Sequence, residues 1–160
     1  MLRDYQRKVF SYTNREQHPA LFLEMRLGKT LIAVRRLMHD FPNTSGILVV
    51  APLCALYGWE CELLTEGIPP SEITYLTGTN KQRHNSLCNR GAFCLINKEG
   101  FLCVPEIAQH SWDAVVCDES TFLKNPQSRV SRFYTNNFRT TKRRFILTGT
   151  PAPENDLELY

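Results

Sequence analysis

Six short apolar runs, each separated from the next by a longer stretch, constrain this chain more than any other feature. They are Ala20 to Leu23, Ile47 to Ala51, Ile73 to Leu76, Ala92 to Ile96, Ala114 to Cys117 and Arg144 to Leu147. Most lack polar alternation, which marks strands buried on both faces. The clearest helix between them starts at Thr30: Leu31, Val34, Leu37, Met38 and Phe41 recur at spacings of three and four, with Arg35 and Arg36 on another face. Pro42 and Asn43 stop it. Further helices are predicted from Leu53 to Leu64 and from Ser128 to Phe138, the latter with Val130, Phe133 and Tyr134 inward. Alternation of this kind predicts an α/β fold, a mostly parallel sheet covered by helices on both faces. Ligands then bind at the carboxyl ends of the strands.

The chain has 160 residues, 42% hydrophobic and 22% charged, which suits one domain with a single core. It shows no repeat, low-complexity tract or Gly/Ser linker. No apolar run approaches the roughly 20 residues of a membrane-spanning helix, and Met1 to Lys8 is polar and charged. The expectation is a soluble protein with no membrane partner. The six cysteines form no C-x-x-C pair and have no histidine at zinc-finger spacing, and Cys94 and Cys117 sit inside apolar runs. This pattern favours a reducing cytoplasm over a disulfide framework or a zinc site.

The segment Leu23-Glu24-Met25-Arg26-Leu27-Gly28-Lys29-Thr30 lies between the first strand and the best helix. A phosphate-binding loop needs a tight turn that aims backbone N–H groups at phosphate oxygens. It also needs a lysine for the β and γ phosphates, a hydroxyl for Mg²⁺ and a helix N-terminus behind it. Gly28, Lys29 and Thr30 supply these parts, although Leu23 stands where the pattern G-x-x-x-x-G-K-[ST] begins with glycine. Read alone, Gly-Lys-Thr is equally an ordinary helix start.

The run Ala114-Val115-Val116-Cys117 ends in two carboxylates, Asp118 and Glu119. Acids are rarely buried unless paired, so packing does not explain them. They suit metal-assisted phosphoryl transfer, with Asp118 holding Mg²⁺ through water and Glu119 orienting and deprotonating the attacking water. The plainer alternative is a strand followed by an acidic turn.

Together with Leu2-Arg3-Asp4-Tyr5-Gln6, Val50-Ala51-Pro52, Asp118-Glu119-Ser120-Thr121-Phe122-Leu123-Lys124-Asn125 and Leu147-Thr148-Gly149-Thr150-Pro151, these motifs resemble superfamily 2 helicases. The branch is the chromatin-remodeller-like, Swi/Snf-type one with a DEAD/DEAH-type box, in its compact phage or bacterial form. The resemblance covers Leu2 to nearly Tyr160 and implies a RecA-like P-loop NTPase lobe that binds ATP and Mg²⁺. It implies nucleotide contacts by Gln6 at the adenine edge and by Arg26, Leu27, Gly28, Lys29 and Thr30. It further implies Mg²⁺ held by Thr30 and Asp118, and nucleic-acid contact near Pro52 and Asn97. Thr148, Gly149 and Thr150 match the segment that couples hydrolysis to movement between lobes. The implied partners are nucleic acid, double-stranded DNA in particular, and a second RecA-like lobe that supplies an arginine to the transferring phosphoryl group. The implied location is the cytoplasm of a bacterial or phage-infected cell.

Arg26 stands where many such sequences have glycine, Thr121 where related families often have histidine, and Pro153 and Glu154 depart from the usual continuation. Because the sequence ends at Tyr160, weak ATP hydrolysis is expected of this chain without the second lobe. The main rival is a binding module that holds nucleotide or DNA without turnover; a P-loop kinase leaves the Gln6 and Thr148 segments unexplained.

Other residues take plainer readings. Trp59, at helical spacing with Leu56 and Leu63, is expected in the core instead of stacked on a base. Trp112 should anchor the carboxylate strand. No role falls to His18, His39, His84 or His110, and Lys81 to Arg90 reads as a solvated face. Net charge is only +3, but Arg129, Arg132, Arg139, Lys142, Arg143 and Arg144 lie close together. They read as a solvated helix face and loop, with a phosphate-binding patch as the alternative.

Overall fold

A computed structural model describes residues 2–149. All six expected strands form: β1 (Ala20–Phe22), β2 (Ile47–Ala51), β3 (Ile73–Tyr75), β4 (Phe93–Asn97), β5 (Ala114–Asp118) and β6 (Arg143–Thr148). They make one sheet in the order β1-β6-β5-β2-β4-β3, and every neighbouring pair is parallel. The three predicted helices are α2 (Lys29–Asp40), α3 (Leu53–Thr65) and α6 (Arg129–Phe138), joined by α1 (Asp4–Arg15), α4 (Asn80–Cys88) and the single turn α5 (Lys98–Phe101).

Strand side chains alternate between faces. Ile47, Val49, Phe93, Leu95, Ala114, Val116, Phe145 and Leu147 join Ile32, Leu37, Leu56, Trp59 and Leu63 of α2 and α3 in one core cluster. Leu48, Val50, Cys94, Ile96, Val115 and Cys117 point the other way, against Leu87, Phe101, Tyr134 and Phe138. Both faces are thus buried, which is why the central strands are apolar throughout. Trp59 is 1% exposed, in the core as its spacing predicts. Trp112 packs in the second cluster and donates from Nε1 to the Ile107 carbonyl at 2.8 Å.

The helix α1 escapes a hydrophobicity reading because its fully buried residues are polar, Gln6 and Thr13, while Val9 and Phe10 are only partly covered. Three charged residues lock its far end to α2 and β6. Asp40 pairs with Arg36 and, at 2.9 Å, with Arg143 Nε, and the Arg143 guanidinium also donates to the Thr13 and Glu16 carbonyls at 2.9 Å each. Lys142 pairs with Asp113 at 2.7 Å. These two members of the basic cluster therefore hold the amino end of β6 in place, while Arg129, Arg132 and Arg139 are exposed on and beside α6.

Candidate nucleotide and nucleic-acid site

In a parallel sheet all carboxyl ends lie on one edge, so the motif residues share that edge. Loop 23–28 runs from β1 into α2 and turns through two left-handed residues, Arg26 (φ 65°) and Gly28 (φ 79°). A Cβ at Gly28 would lie 2.5 Å from Gln6 Nε2, so a side chain there would have to move that amide, and the backbone angle itself favours glycine. Gln6 Nε2 and the Tyr5 hydroxyl both donate to the Leu27 carbonyl, at 3.3 and 3.2 Å, and Gln6 Oε1 accepts from the Arg3 N–H at 2.9 Å. The structure thus places the Gln6 amide beneath the loop, 6% exposed, with both polar atoms engaged by protein.

No side chain caps α2. Its first N–H groups have no intrahelical acceptor and, with the helix dipole, favour an anion at this end. Lys29 is 8% exposed, and its ammonium donates to the Leu23 and Glu24 carbonyls at 2.8 and 3.1 Å. A cation resting on weak neutral acceptors beside an uncapped helix start is poised to exchange them for phosphate oxygens.

Facing the loop, Asp118 ends β5 with 7% exposure. Burial raises its pKa, opposed by a hydrogen bond from Trp59 Nε1 to Oδ2, one from the Glu119 N–H to Oδ1, both 2.9 Å, and the charge of Lys29. Glu119 follows in a left-handed conformation, φ 47°, and accepts from Thr148 Oγ1 at 3.4 Å. Thr121, at the position read as a departure, donates instead to the Glu119 carbonyl at 3.4 Å. The contact between the carboxylates and the coupling segment is therefore made by Glu119 itself. At the end of β6, a Cβ placed on Gly149 would sit 3.5 Å from Lys29 Nζ. Thr150 and Pro151 of the coupling segment, with Pro153 and Glu154, lie outside the described residues.

Arg26, Gly28, Lys29, Thr30, Asp118 and Glu119 line one open cavity of about 310 Å³. This volume lies at the lower end of the range for small-molecule sites. Its wall also contains Glu62, one turn beyond Trp59 on α3; sequence reading missed both its place in the wall and the Trp59 bond to Asp118. The three-residue spacing of Trp59 and Glu62 is the signal that could have found them, because it puts both on one face of α3. A cavity of about 350 Å³ at the opposite end of the molecule, between Met38, Phe41, Ile68 and Phe93, has a largely apolar wall that does not suit a polyphosphate.

Pro52 and Asn97 do not line the cavity shared by Lys29 and Asp118. They follow and end the neighbouring strands β2 and β4, where Ala51 is in register with Asn97. The edge is thus divided, with β1, β6 and β5 leading into the residues of the loop and carboxylate motifs and β2 and β4 into the other pair. Asn97 Nδ2 donates to Glu99 Oε2 at 2.8 Å.

Residues 5–160 match the SNF2-related domain family. The chain belongs to that family. As an SNF2-related domain it is 31% identical over 173 residues to the nuclear protein STH1/NPS1 of Saccharomyces cerevisiae, an alignment covering 99% of this chain and 12% of that one. It is 29% identical to the ATP-dependent helicase BRM of Arabidopsis thaliana, covering 98% of this chain and 8% of the relative. The SNF2-related domain therefore spans about a tenth of the length of these relatives. The Sulfolobus solfataricus SWI2/SNF2 ATPase core, solved in complex with double-stranded DNA, superposes with a TM-score of 0.81 at 27% identity, covering 99% of this chain and 34% of that one. The Pyrococcus furiosus Hef helicase domain shares the fold, with a TM-score of 0.74 at 18% identity, 98% of this chain and 34% of the other. The all-parallel sheet is thus that of a RecA-like lobe, as the motif resemblance implied; the alternation of elements had predicted a mostly parallel α/β sheet.

Proposed function

We propose that this SNF2-related domain is the MgATP-binding lobe of an ATP-dependent DNA translocase or helicase. One observation carries the reading: Lys29 and Thr30 at an uncapped helix start share a single cavity with Asp118 and Glu119. The donor set fits the missing groups. Backbone N–H groups and Lys29 suit the phosphates, the Thr30 hydroxyl and the Asp118 carboxylate suit a hard cation that takes oxygen ligands, and Arg26, Leu27 and Gly28 shape the cradle. Gln6 braces that cradle from below and is the side chain we assign to the adenine side.

When bound, Mg²⁺ would offset charge on the phosphate oxygens. Lys29 leaves the Leu23 and Glu24 carbonyls to hold the terminal phosphates. Glu119 orients a water against the terminal phosphorus and accepts its proton, steadied by Thr148. The Trp59 and Glu119 hydrogen bonds favour the charged form of Asp118, opposing the burial that raises its pKa. Pro52 and Asn97, on the adjoining half of the same edge, contact the nucleic-acid backbone, which gives binding without sequence reading. Gly149 and Thr150 join Thr148 in passing the state of the nucleotide to a second RecA-like lobe, whose arginine completes the site. The DNA-bound Sulfolobus core supports double-stranded DNA as the polymer. Free cysteines, with Cys54, Cys88 and Cys103 exposed, support a reducing cytoplasm, in our reading that of a bacterial or phage-infected cell.

The test is ATP turnover with and without duplex DNA, for this chain alone and with a second lobe appended. Slow turnover alone and DNA-stimulated turnover with the second lobe, both lost on Lys29→Ala or Glu119→Gln, are expected. DNA binding with no turnover in either form would favour a non-hydrolysing module.

A further inference from the structure

Arg26 and Glu119 are the non-glycine residues with positive φ among the described residues, and both line the nucleotide cavity. A left-handed backbone is unfavourable for an ordinary L-residue, and such strain tends to persist where function requires the side chain. Glu119 has a role in the proposed reaction. Arg26 so far only helps to shape the cradle, with no role for its charge. Glycine would take its φ of 65° without cost, and Gly28, two residues on, does so at 79°. The Arg26 side chain is exposed and makes no ion pair or hydrogen bond with any described residue. It stands in the same cavity wall as Lys29 and Thr30, so its guanidinium is a cation beside the phosphate cradle with no partner among the described residues.

We propose that Arg26 is a second side-chain cation for the nucleotide's phosphate chain, a specificity-determining residue that favours triphosphate over monophosphate and is supplied by the loop itself. This rests on the nucleotide-site reading above. The position makes chemical sense. Lys29 contributes one ammonium, whereas a guanidinium offers several donors in a planar fork that matches two phosphate oxygens at once. The flanking Met25 and Leu27 side chains carry no charge and cannot serve this role.

Calorimetric titration of the chain with a non-hydrolysable Mg²⁺–ATP analogue and with AMP measures the preference, and thermal unfolding of the free protein measures the strain. Arg26→Gly should weaken triphosphate binding about tenfold or more, the size expected for a charge-assisted bond. AMP affinity should stay unchanged and the free protein's Tm should not fall, since the strain is released. Arg26→Gln, which keeps the backbone strain but loses the charge, should show the same loss of preference, and Arg26→Lys should recover part of it. An unchanged triphosphate-to-AMP ratio in Arg26→Gly, with wild type binding and Lys29→Ala impaired, would overturn the role of Arg26 alone. A loss of affinity accompanied by a lower Tm would also overturn it, by making Arg26 a prop for the loop. Failure of the wild-type chain to bind any nucleotide would remove the nucleotide-site reading and this inference together.

Discussion

Trp59 Nε1 donates to Asp118 Oδ2 at 2.9 Å inside the core, so a helix of the first sheet face holds the carboxylate that ends β5. Trp59 is 1% exposed and Asp118 7%, and water cannot readily replace this bond. Replacing Trp59 with Phe keeps most of the packing and deletes the donor. Losing a buried hydrogen bond to a charged group should cost about 1.5–3 kcal/mol, read by urea unfolding. The pKa of Asp118, already raised by burial, should rise further, and Mg²⁺ should enhance nucleotide binding less than in wild type. Equal stability and equal Mg²⁺ enhancement would show that the bond does not matter.

Thr148 and Glu119 give a second expectation. Their 3.4 Å contact is long, and it tightens if nucleotide draws β6 toward the cavity. Thr148→Val, in a chain that carries both lobes, should leave nucleotide affinity within about twofold and lower DNA-stimulated turnover about tenfold, a part of what a general base contributes. Steady-state ATPase kinetics separate the two effects. A fall in affinity without a fall in maximal rate would move Thr148 from coupling to binding.

The lock at the far end of the sheet gives a pH prediction. Burial pushes the Asp40 carboxyl up, but hydrogen bonds from Arg36 and His39 and the charge of Arg143 outweigh it, and its pKa lies below the ordinary value. A lowered folded pKa means stability that is present at neutral pH and lost as pH falls through that lowered value. Asp40→Asn leaves the Arg36 and Arg143 guanidiniums without their anion and should cost about 3 kcal/mol at pH 7. The gap between wild type and variant should begin to narrow below about pH 4, the ordinary carboxylate value, and close further as pH falls through the lowered value at which folded wild-type Asp40 takes up its proton. Urea unfolding at pH 7 and pH 3 checks the sign. Nucleotide affinity should not change, because this network lies at the opposite edge of the sheet from Lys29.

How much of this was legible from sequence follows from what each residue does. The six strands were readable because both sheet faces are covered, which leaves Ile47 to Ala51 and Ala114 to Cys117 no reason to alternate. Asp118 was readable as a candidate because a strand that ends abruptly in charge has few explanations, and Lys29 because Gly-Lys-Thr stands between a strand and a helix. The helix α1 was not, since Gln6 and Thr13 are the residues it buries most deeply. Trp59 was correctly read as core, yet its indole N–H reaches a residue 59 positions away, and no local pattern carries that information. The arginine-rich stretch was only half resolved by spacing, because Arg143 and Lys142 find their acids, Asp40 and Asp113, on distant elements.

The central claim is that Thr30 and Asp118 serve one metal ion carried by one nucleotide. A crystal of this chain grown with Mn²⁺ and a non-hydrolysable ATP analogue locates that ion by its anomalous scattering. The account predicts a peak between the Thr30 hydroxyl and the Asp118 carboxylate, within reach of one bridging water, with the phosphates on the α2 N-terminus and the Lys29 ammonium turned onto them. A metal and triphosphate bound elsewhere, with Lys29 still on the Leu23 and Glu24 carbonyls, would contradict it.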